Sequence, residues 1–129
     1  KNHFILCGAG KVGSHIISEL SQTKRDFVIV EKDNDLLKKY ENYLCINNDA
    51  SDENVLKEAG IEKAAGLFAA LSTDEENIFL IITAREMNPN IKIVAKAVKD
   101  SSAKKLMSAG ANSVVLPNLI GGLRMTSAL

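Results

Sequence analysis

The chain has 129 residues, a length that suits one domain with a complete hydrophobic core. Its 16 basic and 16 acidic residues give a formal net charge of 0, so no basic excess favours nonspecific binding to a phosphate backbone, and we expect no nucleic-acid partner. Hydrophobic residues make up 46% of the sequence and charged residues 25%, which excludes a disordered or low-complexity chain.

The cysteines and the apolar runs indicate a soluble domain in a reducing compartment. Cys7 and Cys45 form neither a disulfide framework nor a CxxC pair. No wholly apolar run exceeds five residues, far short of the roughly 20 that cross a bilayer. Because the chain begins at Lys1 rather than Met and stops within an apolar stretch, we expect it to be a piece of a longer protein.

The first half of the chain alternates between short apolar segments and amphipathic ones. We predict strands at His3–Cys7, Phe27–Val30 and Tyr43–Ile46. Between the first two, an apolar stripe at helical spacing predicts a helix, and its members are Val12, Ile16, Ile17 and Leu20. A second helix is expected over Asp33–Asn42.

The second half continues the same alternation. A helix over Asp52–Ala59 follows Ser51 as a plausible N-cap, and a helix over Thr73–Met87 opens with two overlapping capping boxes, Ser72-x-x-Glu75 and Thr73-x-x-Glu76. The remaining predicted elements are strands at Gly66–Leu71, Ile91–Ala95 and Ser113–Leu116 and a helix over Ser101–Ala109, with Pro117 beginning the exit from the last strand.

Six short strands separated by helices predict an α/β fold. We expect a doubly wound, six-stranded parallel sheet in the order 3-2-1-4-5-6, with helices on both faces. This domain spans residues 1–118, and residues 119–129 are interpreted as the start of a C-terminal crossover segment. A ligand should lie in the crevice beyond the carboxyl ends of strands 1 and 4, where the strand order reverses.

A glycine motif stands at that position. Gly8-Ala9-Gly10-Lys11-Val12-Gly13 fits G-x-G-x-x-G and lies directly between the first strand and the first helix. The first glycine allows a tight turn, the second lets a pyrophosphate approach the backbone, and the third lets the helix pack closely on the sheet. The helix N-terminus then faces the phosphates, so the motif predicts a dinucleotide or nucleotide site.

An acidic residue follows the second strand, as the motif requires. Glu31 lies 18 positions after Gly13, where its carboxylate can accept both hydroxyls of an adenosine ribose. This favours NAD or an adenine nucleotide over NADP, whose 2′-phosphate would meet Glu31 with like charge, although Lys32 offsets part of that repulsion.

The segment after the third strand can border the adenosine side of the crevice. It contains Asp49 and Ala50, flanked by Asn48 and Ser51. Asp49 either contacts the ligand or is an ordinary turn residue, and the sequence leaves both interpretations open.

The segment after the fourth strand lies across the switch point from the glycine motif. It contains Leu71, Ser72 and Thr73. The two hydroxyls and the next helix N-terminus either serve a second phosphate or ribose, or only cap the helix.

Catalytic and metal-binding patterns are missing from the sequence. His3 and His15 are its only histidines, and we expect both at the surface rather than paired with a nucleophile in the crevice. A hydride-transfer enzyme would need an acid or base and a substrate pocket, usually from a second domain. We therefore expect no enzymatic activity, with the cofactor half of an NAD-dependent dehydrogenase as an alternative.

Within the helix over Thr73–Met87, the segment Asn77-Ile78-Phe79-Leu80-Ile81-Ile82 is apolar nearly all round. It is either a deeply packed central helix or a helix that also packs against a second copy of the chain, and the sequence leaves both interpretations open.

These motifs together resemble the RCK or KTN nucleotide-binding domains that regulate potassium channels and Trk-type potassium uptake systems. The resemblance covers essentially the whole chain. Besides the glycine motif and Glu31, it is carried by Asn48-Asp49-Ala50-Ser51, Leu56-x-x-Ala59-Gly60-Ile61, Asp74-Glu75-Glu76-Asn77, Ala84-Arg85-x-x-Asn88-Pro89 and Ala109-Gly110-Ala111-Asn112-Ser113-Val114-Val115-Leu116-Pro117.

The resemblance implies a cytoplasmic regulatory domain at the inner face of the membrane, attached to a channel pore or to a transporter's membrane subunit. NAD(H), ATP, ADP or AMP would bind the crevice and move paired domains in a homodimer or larger ring, which would use the helix from Asn77 to Met87 and the segment beyond Pro117. Lys96 falls where the family usually has a basic ligand contact, commonly Arg, so bidentate phosphate recognition would be lost. A channel is the first expectation and a Trk-type subunit the alternative.

Overall fold

Short apolar segments form the strands of a single sheet in the computed structural model, which describes residues 2–118 and 122–127. The strands are β1 (Phe4–Cys7), β2 (Phe27–Val30), β3 (Cys45–Ile46), β4 (Gly66–Ala69), β5 (Lys92–Lys96), β6 (Ser113–Asn118) and β7 (Gly122–Ser127). The helices are α1 (Lys11–Gln22), α2 (Asn34–Leu37), α3 (Glu53–Glu58), α4 (Asp74–Met87) and α5 (Ala103–Ala109), with 3-10 turns at Lys38–Tyr40, Ile61–Lys63 and Asp100–Ser102.

The strand order is β3-β2-β1-β4-β5-β6-β7. The first six strands pair in parallel, which confirms the predicted order 3-2-1-4-5-6. Cys7 at the end of β1 stands beside Val30 of β2 and Ala69 of β4. The central strands therefore end at one level and open a crevice at the switch point.

Both faces of the sheet are covered, as a doubly wound fold requires. Along β1, Ile5 and Cys7 face a core with α3, α4 and α5, whereas Leu6 faces a second core with α1 and α2. This alternation explains why each strand is a continuous apolar run, since side chains on both faces are buried.

The end of the chain differs from the prediction. β6 continues through Pro117 to Asn118 and pairs antiparallel with β7, an edge strand that the sequence analysis missed. Proline has no backbone N–H to donate to a neighbouring strand. Pro117 is tolerated because the pairing of β5 with β6 ends at Val115, so no β5 carbonyl loses a hydrogen bond to it. β7 lies within the predicted crossover segment, and residues 119–121 and 128–129 of that segment lie outside the described residues.

Two predicted helix starts need correction. The N-cap of α3 is Asp52, whose side chain accepts a hydrogen bond from the Asn54 backbone, and not Ser51. Of the two overlapping capping boxes at α4, the one between Thr73 and Glu76 forms. Ser72 does not cap the helix, because a helix has one N-cap and the first turn of α4 begins after Thr73.

The helix predicted over Asp33–Asn42 is shorter than expected. Its α-helical part covers four residues, after which the chain tightens into the 3-10 turn that buries Tyr40.

His3 also differs from the prediction, because it is half-buried and its Nε2 lies 2.7 Å from the Ala59 carbonyl oxygen. A histidine that precedes a buried strand is covered by the neighbouring α3–β4 connection rather than by solvent.

Candidate nucleotide-binding crevice

The crevice lies at the carboxyl ends of β1, β2 and β4. Its volume is about 80 Å³, well below the roughly 300–1,000 Å³ of pockets that enclose a drug-sized ligand. A ligand of nucleotide size must therefore lie across its mouth or widen it. The lining residues are Gly8, Gly10, Val30, Glu31, Lys32, Leu36, Asn48, Asp49, Ala50, Ala70, Leu71, Ser72, Glu76 and Lys96.

The glycine loop has the three geometric properties that the motif predicts. Gly8 has a φ of +104°, and a Cβ on it would collide with the Ala70 carbonyl oxygen. A Cβ on Gly13 would collide with the Gly8 carbonyl oxygen, so α1 packs against the loop without intervening side-chain atoms. Gly10 instead faces open space, with no described heavy atom within 4 Å of where a Cβ would stand. A ligand can thus reach the backbone at Gly10.

The N-terminus of α1 behind this loop is suited to an anion. Its N-cap is Gly10, which has no side chain to cap the helix, and its first turn contains no acidic residue. The amide N–H groups at such a helix start carry partial positive charge and need acceptors. A phosphate placed over Gly10 would supply them.

Glu31 connects the end of β2 to the glycine loop. Its Oε1 accepts a hydrogen bond of 2.7 Å from the Ala9 backbone N–H, and its Oε2 accepts one of 2.9 Å from the Asp33 backbone N–H. A carboxylate has about four acceptor positions. The two that remain can accept the hydroxyls of a ribose, so the observed geometry is compatible with the predicted role.

Asp49 forms the turn that one of the two interpretations predicts, and its contact with a ligand stays a prediction. It lines the crevice, and it also forms a turn in which its Oδ1 accepts hydrogen bonds of 2.9 Å from both the backbone N–H and the hydroxyl of Ser51. The hydrogen bond from the Ser51 backbone N–H, followed by the one from the Ser51 hydroxyl, lowers the pKa of the Asp49 carboxyl. Partial desolvation raises this pKa, and the charge of Lys32 lowers it. Asp49 therefore remains a carboxylate near neutral pH.

The β4 side of the crevice differs from the α1 side. The Thr73 side chain accepts a hydrogen bond from the Glu76 backbone, and Glu76 accepts in return from the Thr73 backbone and hydroxyl at 3.2 and 3.1 Å. The first turn of α4 also carries Asp74 and Glu75. This helix N-terminus is already capped and negatively charged, which favours the capping interpretation of Thr73.

Two lysines stand among the acidic groups of the crevice. Lys32 forms an ion pair with Glu76, with Nζ 3.5 Å from Oε2. Lys96 is half-buried, and desolvation lowers the pKa of its ammonium group, while the charges of Asp74 and Glu76 oppose that shift. Both lysines can approach a bound phosphate as cations.

Two buried polar side chains hold this side of the crevice in place. The Asn77 amide accepts from the Leu71 backbone N–H at 2.9 Å and donates to the Lys96 carbonyl oxygen at 3.1 Å. Asp74 accepts from the backbone N–H groups of Val98 and Lys99 at 2.7 and 3.2 Å. The loops after β4 and β5 are thus both fixed to α4.

The sequence identified most of the crevice. The predicted residues that line it are Gly8, Gly10, Glu31, Lys32, Asp49, Ala50, Leu71, Ser72 and Lys96. The predicted residues outside the lining are Ala9, Lys11, Val12, Gly13 and Thr73. Ala9 is buried with its N–H on Glu31, and Thr73 caps α4. Sequence reasoning missed Val30, Leu36, Ala70 and Glu76, of which only Glu76 had a signal, its place in the capping box.

The other motif residues of the C-terminal half support the fold. The Arg85 guanidinium donates to the carbonyl oxygens of Pro89, Ile91 and Gly110 and to Asn112 Oδ1. Asn88 donates to the Ile61 carbonyl oxygen at 2.8 Å. These side chains join α4 to its neighbouring loops and lie away from the crevice.

The cysteines are free thiols in this structure. Burial and, secondarily, the charge of Glu31 raise the pKa of the Cys7 thiol far above its usual range, and burial also raises the pKa of Cys45. Within residues 2–118 and 122–127, His, Cys, Asp and Glu form no group of three or more that could hold a metal ion. No helix in the described part of the chain is long and apolar enough to cross a membrane.

The sequence profile of the TrkA-N domain matches residues 4–117. Among curated proteins, the probable potassium channel protein 2 of Methanocaldococcus jannaschii is 48% identical over 130 residues. The alignment covers 97% of this chain and 38% of that protein, so the chain spans well under half the length of this relative.

Solved structures share the fold. The TrkA-N domain of the inner membrane protein YbaL from Escherichia coli matches with a TM-score of 0.83 at 27% identity, over 89% of this chain and 87% of that one. The GsuK channel bound to NAD matches with a TM-score of 0.79 at 25% identity, over 88% of this chain and 21% of that one. These matches confirm the predicted Rossmann-like fold and the predicted family.

Proposed function

Because the chain belongs to the TrkA-N domain family, we propose that it is a regulatory domain that binds NAD(H) or an adenine nucleotide and controls a potassium channel. The observation that carries this proposal is the uncapped N-terminus of α1 at Gly10, with Glu31 bonded to the same loop at Ala9. Under this proposal, a helix N-terminus that donates hydrogen bonds to a phosphate lies beside a carboxylate that accepts hydrogen bonds from a ribose.

The ligand would lie across the switch point in a defined order. The adenosine ribose binds Glu31, the first phosphates contact the backbone at Gly10, and Lys32 and Lys96 contribute positive charge. A GsuK structure with NAD supports this ligand class, and its matching fold supports the same crevice. Under this proposal the domain stands on the cytoplasmic side of the membrane, attached to its channel.

The regulatory step follows from differential binding. A ligand can shift an equilibrium between two arrangements of paired domains only by binding one of them more tightly. The face of α4 that would contact a second copy carries Phe79 and Ile82, which are 55% and 43% exposed. Asn77 is not part of that face, because it is fully buried in its own domain.

Thermal melting with NAD+, NADH, AMP, ADP, ATP and NADP+ tests the proposal. A ligand at 100 times its Kd stabilises the folded state by about 2.7 kcal/mol, which corresponds to a rise in Tm of roughly 10 °C for a domain of this size. We expect that rise with NAD(H) or an adenine nucleotide and a smaller one with NADP+. A folded domain whose Tm moves with none of them would contradict the proposal.

A further inference from the structure

Glu76 lines the crevice although its sequence context assigned it only to helix capping. Its Oε1 is fixed by the Thr73 backbone and hydroxyl, and its Oε2 lies 3.5 Å from Lys32 Nζ. The capping box therefore sets the position of this carboxylate at the crevice, and its second oxygen lies near Lys32.

The two helix N-termini at the crevice have opposite electrostatic character. The α1 terminus has a glycine N-cap and no acidic residue in its first turn, whereas the α4 terminus is capped by Thr73 and carries three acidic residues in its first turn. An anion is stabilised at the first, whereas at the second the carboxylates oppose it and the ion pair with Lys32 offsets part of that repulsion. Phosphate binding is thus favoured over Gly10 and opposed next to Glu76.

The sheet order sets the sequence in which a nucleotide meets these groups. With the adenosine ribose at Glu31 of the β2 side, the first phosphates lie over Gly10, after β1. The next element in the sheet is β4, followed by α4. A phosphate chain that extends beyond the glycine loop therefore runs toward Glu76.

We propose that Glu76 is a specificity-determining residue that limits the bound nucleotide to two phosphates. Dinucleotides and nucleoside diphosphates carry a pyrophosphate and fit this limit, whereas the third phosphate of a nucleoside triphosphate meets the Glu76 carboxylate. The inference rests on the proposed nucleotide-binding function and adds which class of nucleotide the crevice takes.

Calorimetric titration with AMP, ADP and ATP isolates the effect of phosphate number, since adenine and ribose stay constant. The titrations are run in EDTA at low ionic strength, because salt screens exposed charges. We expect wild-type protein to bind ATP at least about fivefold more weakly than ADP. In Glu76→Gln the ATP and ADP affinities should come within about twofold of each other.

Glu76→Gln is a suitable variant because glutamine also completes a capping box. Glu75→Gln is the matched control: it removes the same charge from the same helical turn at an exposed residue outside the crevice lining, and should change the ratio of ADP to ATP affinity much less than Glu76→Gln does. Glu76→Gln in a Lys32→Gln background distinguishes two causes of a higher ATP affinity. One is the loss of repulsion between Glu76 and the phosphate, and the other is the release of Lys32 from its ion pair with Glu76. The ATP affinity should rise in that background as well.

Three outcomes would overturn the inference. They are ATP binding as tight as ADP binding in the wild type, an unchanged ratio in Glu76→Gln, and Mg²⁺-dependent tightening of ATP that Glu76→Gln abolishes, which would make Glu76 a metal contact. Absence of heat with all three nucleotides and with NAD+ would instead contradict the proposed function itself.

Discussion

The carboxylate of Glu31 accepts a hydrogen bond of 2.7 Å from the backbone N–H of Ala9. This bond joins the end of β2 to the loop that begins α1. It links the carboxylate that we propose as the ribose acceptor to the helix terminus that we propose for phosphate, without any ligand. Preorganisation of this kind lowers the cost of binding, because less of the site has to be ordered.

Substitutions at two glycines of the motif should separate folding from binding. Gly13→Ala places a Cβ against the Gly8 carbonyl, so we expect it to lower the free energy of unfolding by about 2 kcal/mol or more. Gly10→Ala meets open space at a φ of −77°, so it should cost less than about 1 kcal/mol.

Urea unfolding measures the stability of both variants, and thermal melting with NAD+ measures binding. Gly10→Ala should melt close to the wild type but lose most of the nucleotide-dependent rise, because its methyl group would occupy the proposed phosphate position. A Gly10→Ala variant that retains the full rise would show that the phosphate does not lie there.

The buried amide of Asn77 should contribute strongly to stability. In Asn77→Ala, the Leu71 N–H and the Lys96 carbonyl oxygen lose their partner inside the fold, at a cost of about 2–4 kcal/mol in the free energy of unfolding. Urea denaturation measures this loss. The exposed Asn54 provides the control, since Asn54→Ala should change stability by less than about 0.5 kcal/mol.

How far the sequence predicts this region can be seen at Glu76 and Asn77. The capping pattern located the start of α4 within one residue, because capping is a local interaction. That Glu76 also reaches Lys32 depends on how far β2 and α4 stand apart, which no local pattern contains. Asn77 was interpreted within an apolar helix face, and only the neighbouring loops reveal its role as their hydrogen-bond partner.

β7 shows the same limit for strands. Each parallel strand was recognisable as an apolar run because helices bury both of its faces. The segment Gly122–Ser127 alternates apolar and polar residues over only four positions, Leu123 to Thr126, and it pairs with β6 as a strand. Gly121 precedes β7 and Gly122 begins it, and this pair of glycines, a turn signal, was interpreted as part of a crossover segment.

Stability should fall at alkaline pH because of Cys7. The raised pKa of its thiol means that the folded state keeps a proton which the unfolded state releases. The contribution of the protonated Cys7 to the free energy of unfolding is complete below the unfolded pKa of about 8.5. It is lost as the pH rises above that value, by about 1.4 kcal/mol per pH unit. Urea unfolding between pH 7 and 10 should show this slope in the wild type.

Cys7→Ala should remove that part of the slope, whatever its effect on stability at pH 7. Cys45→Ala should change the slope less, because Cys45 is only half-buried and its pKa is raised by burial alone. Equal slopes in the wild type and in Cys7→Ala would contradict a buried, protonated Cys7.

The exposed apolar residues of α4 should mediate self-association. Replacing Phe79 and Ile82 with glutamate places two charges on the proposed contact, so we expect a monomer by sedimentation at concentrations where the wild type is a dimer. Leu44→Glu is the matched control, because Leu44 is 70% exposed on another part of the surface. A dimer that persists in the α4 variant would remove α4 from the interface.

Calorimetric titration of NAD+ into the wild type and into Glu31→Ala tests whether this crevice binds the nucleotide. We expect one site per chain in the wild type and an affinity at least about tenfold lower in Glu31→Ala, since hydrogen bonds to a charged group contribute about 1.5–3 kcal/mol. Glu41→Ala, which removes an exposed glutamate outside the crevice lining, should bind like the wild type. Equal affinity in the wild type and in a folded Glu31→Ala variant would contradict the assignment of this crevice.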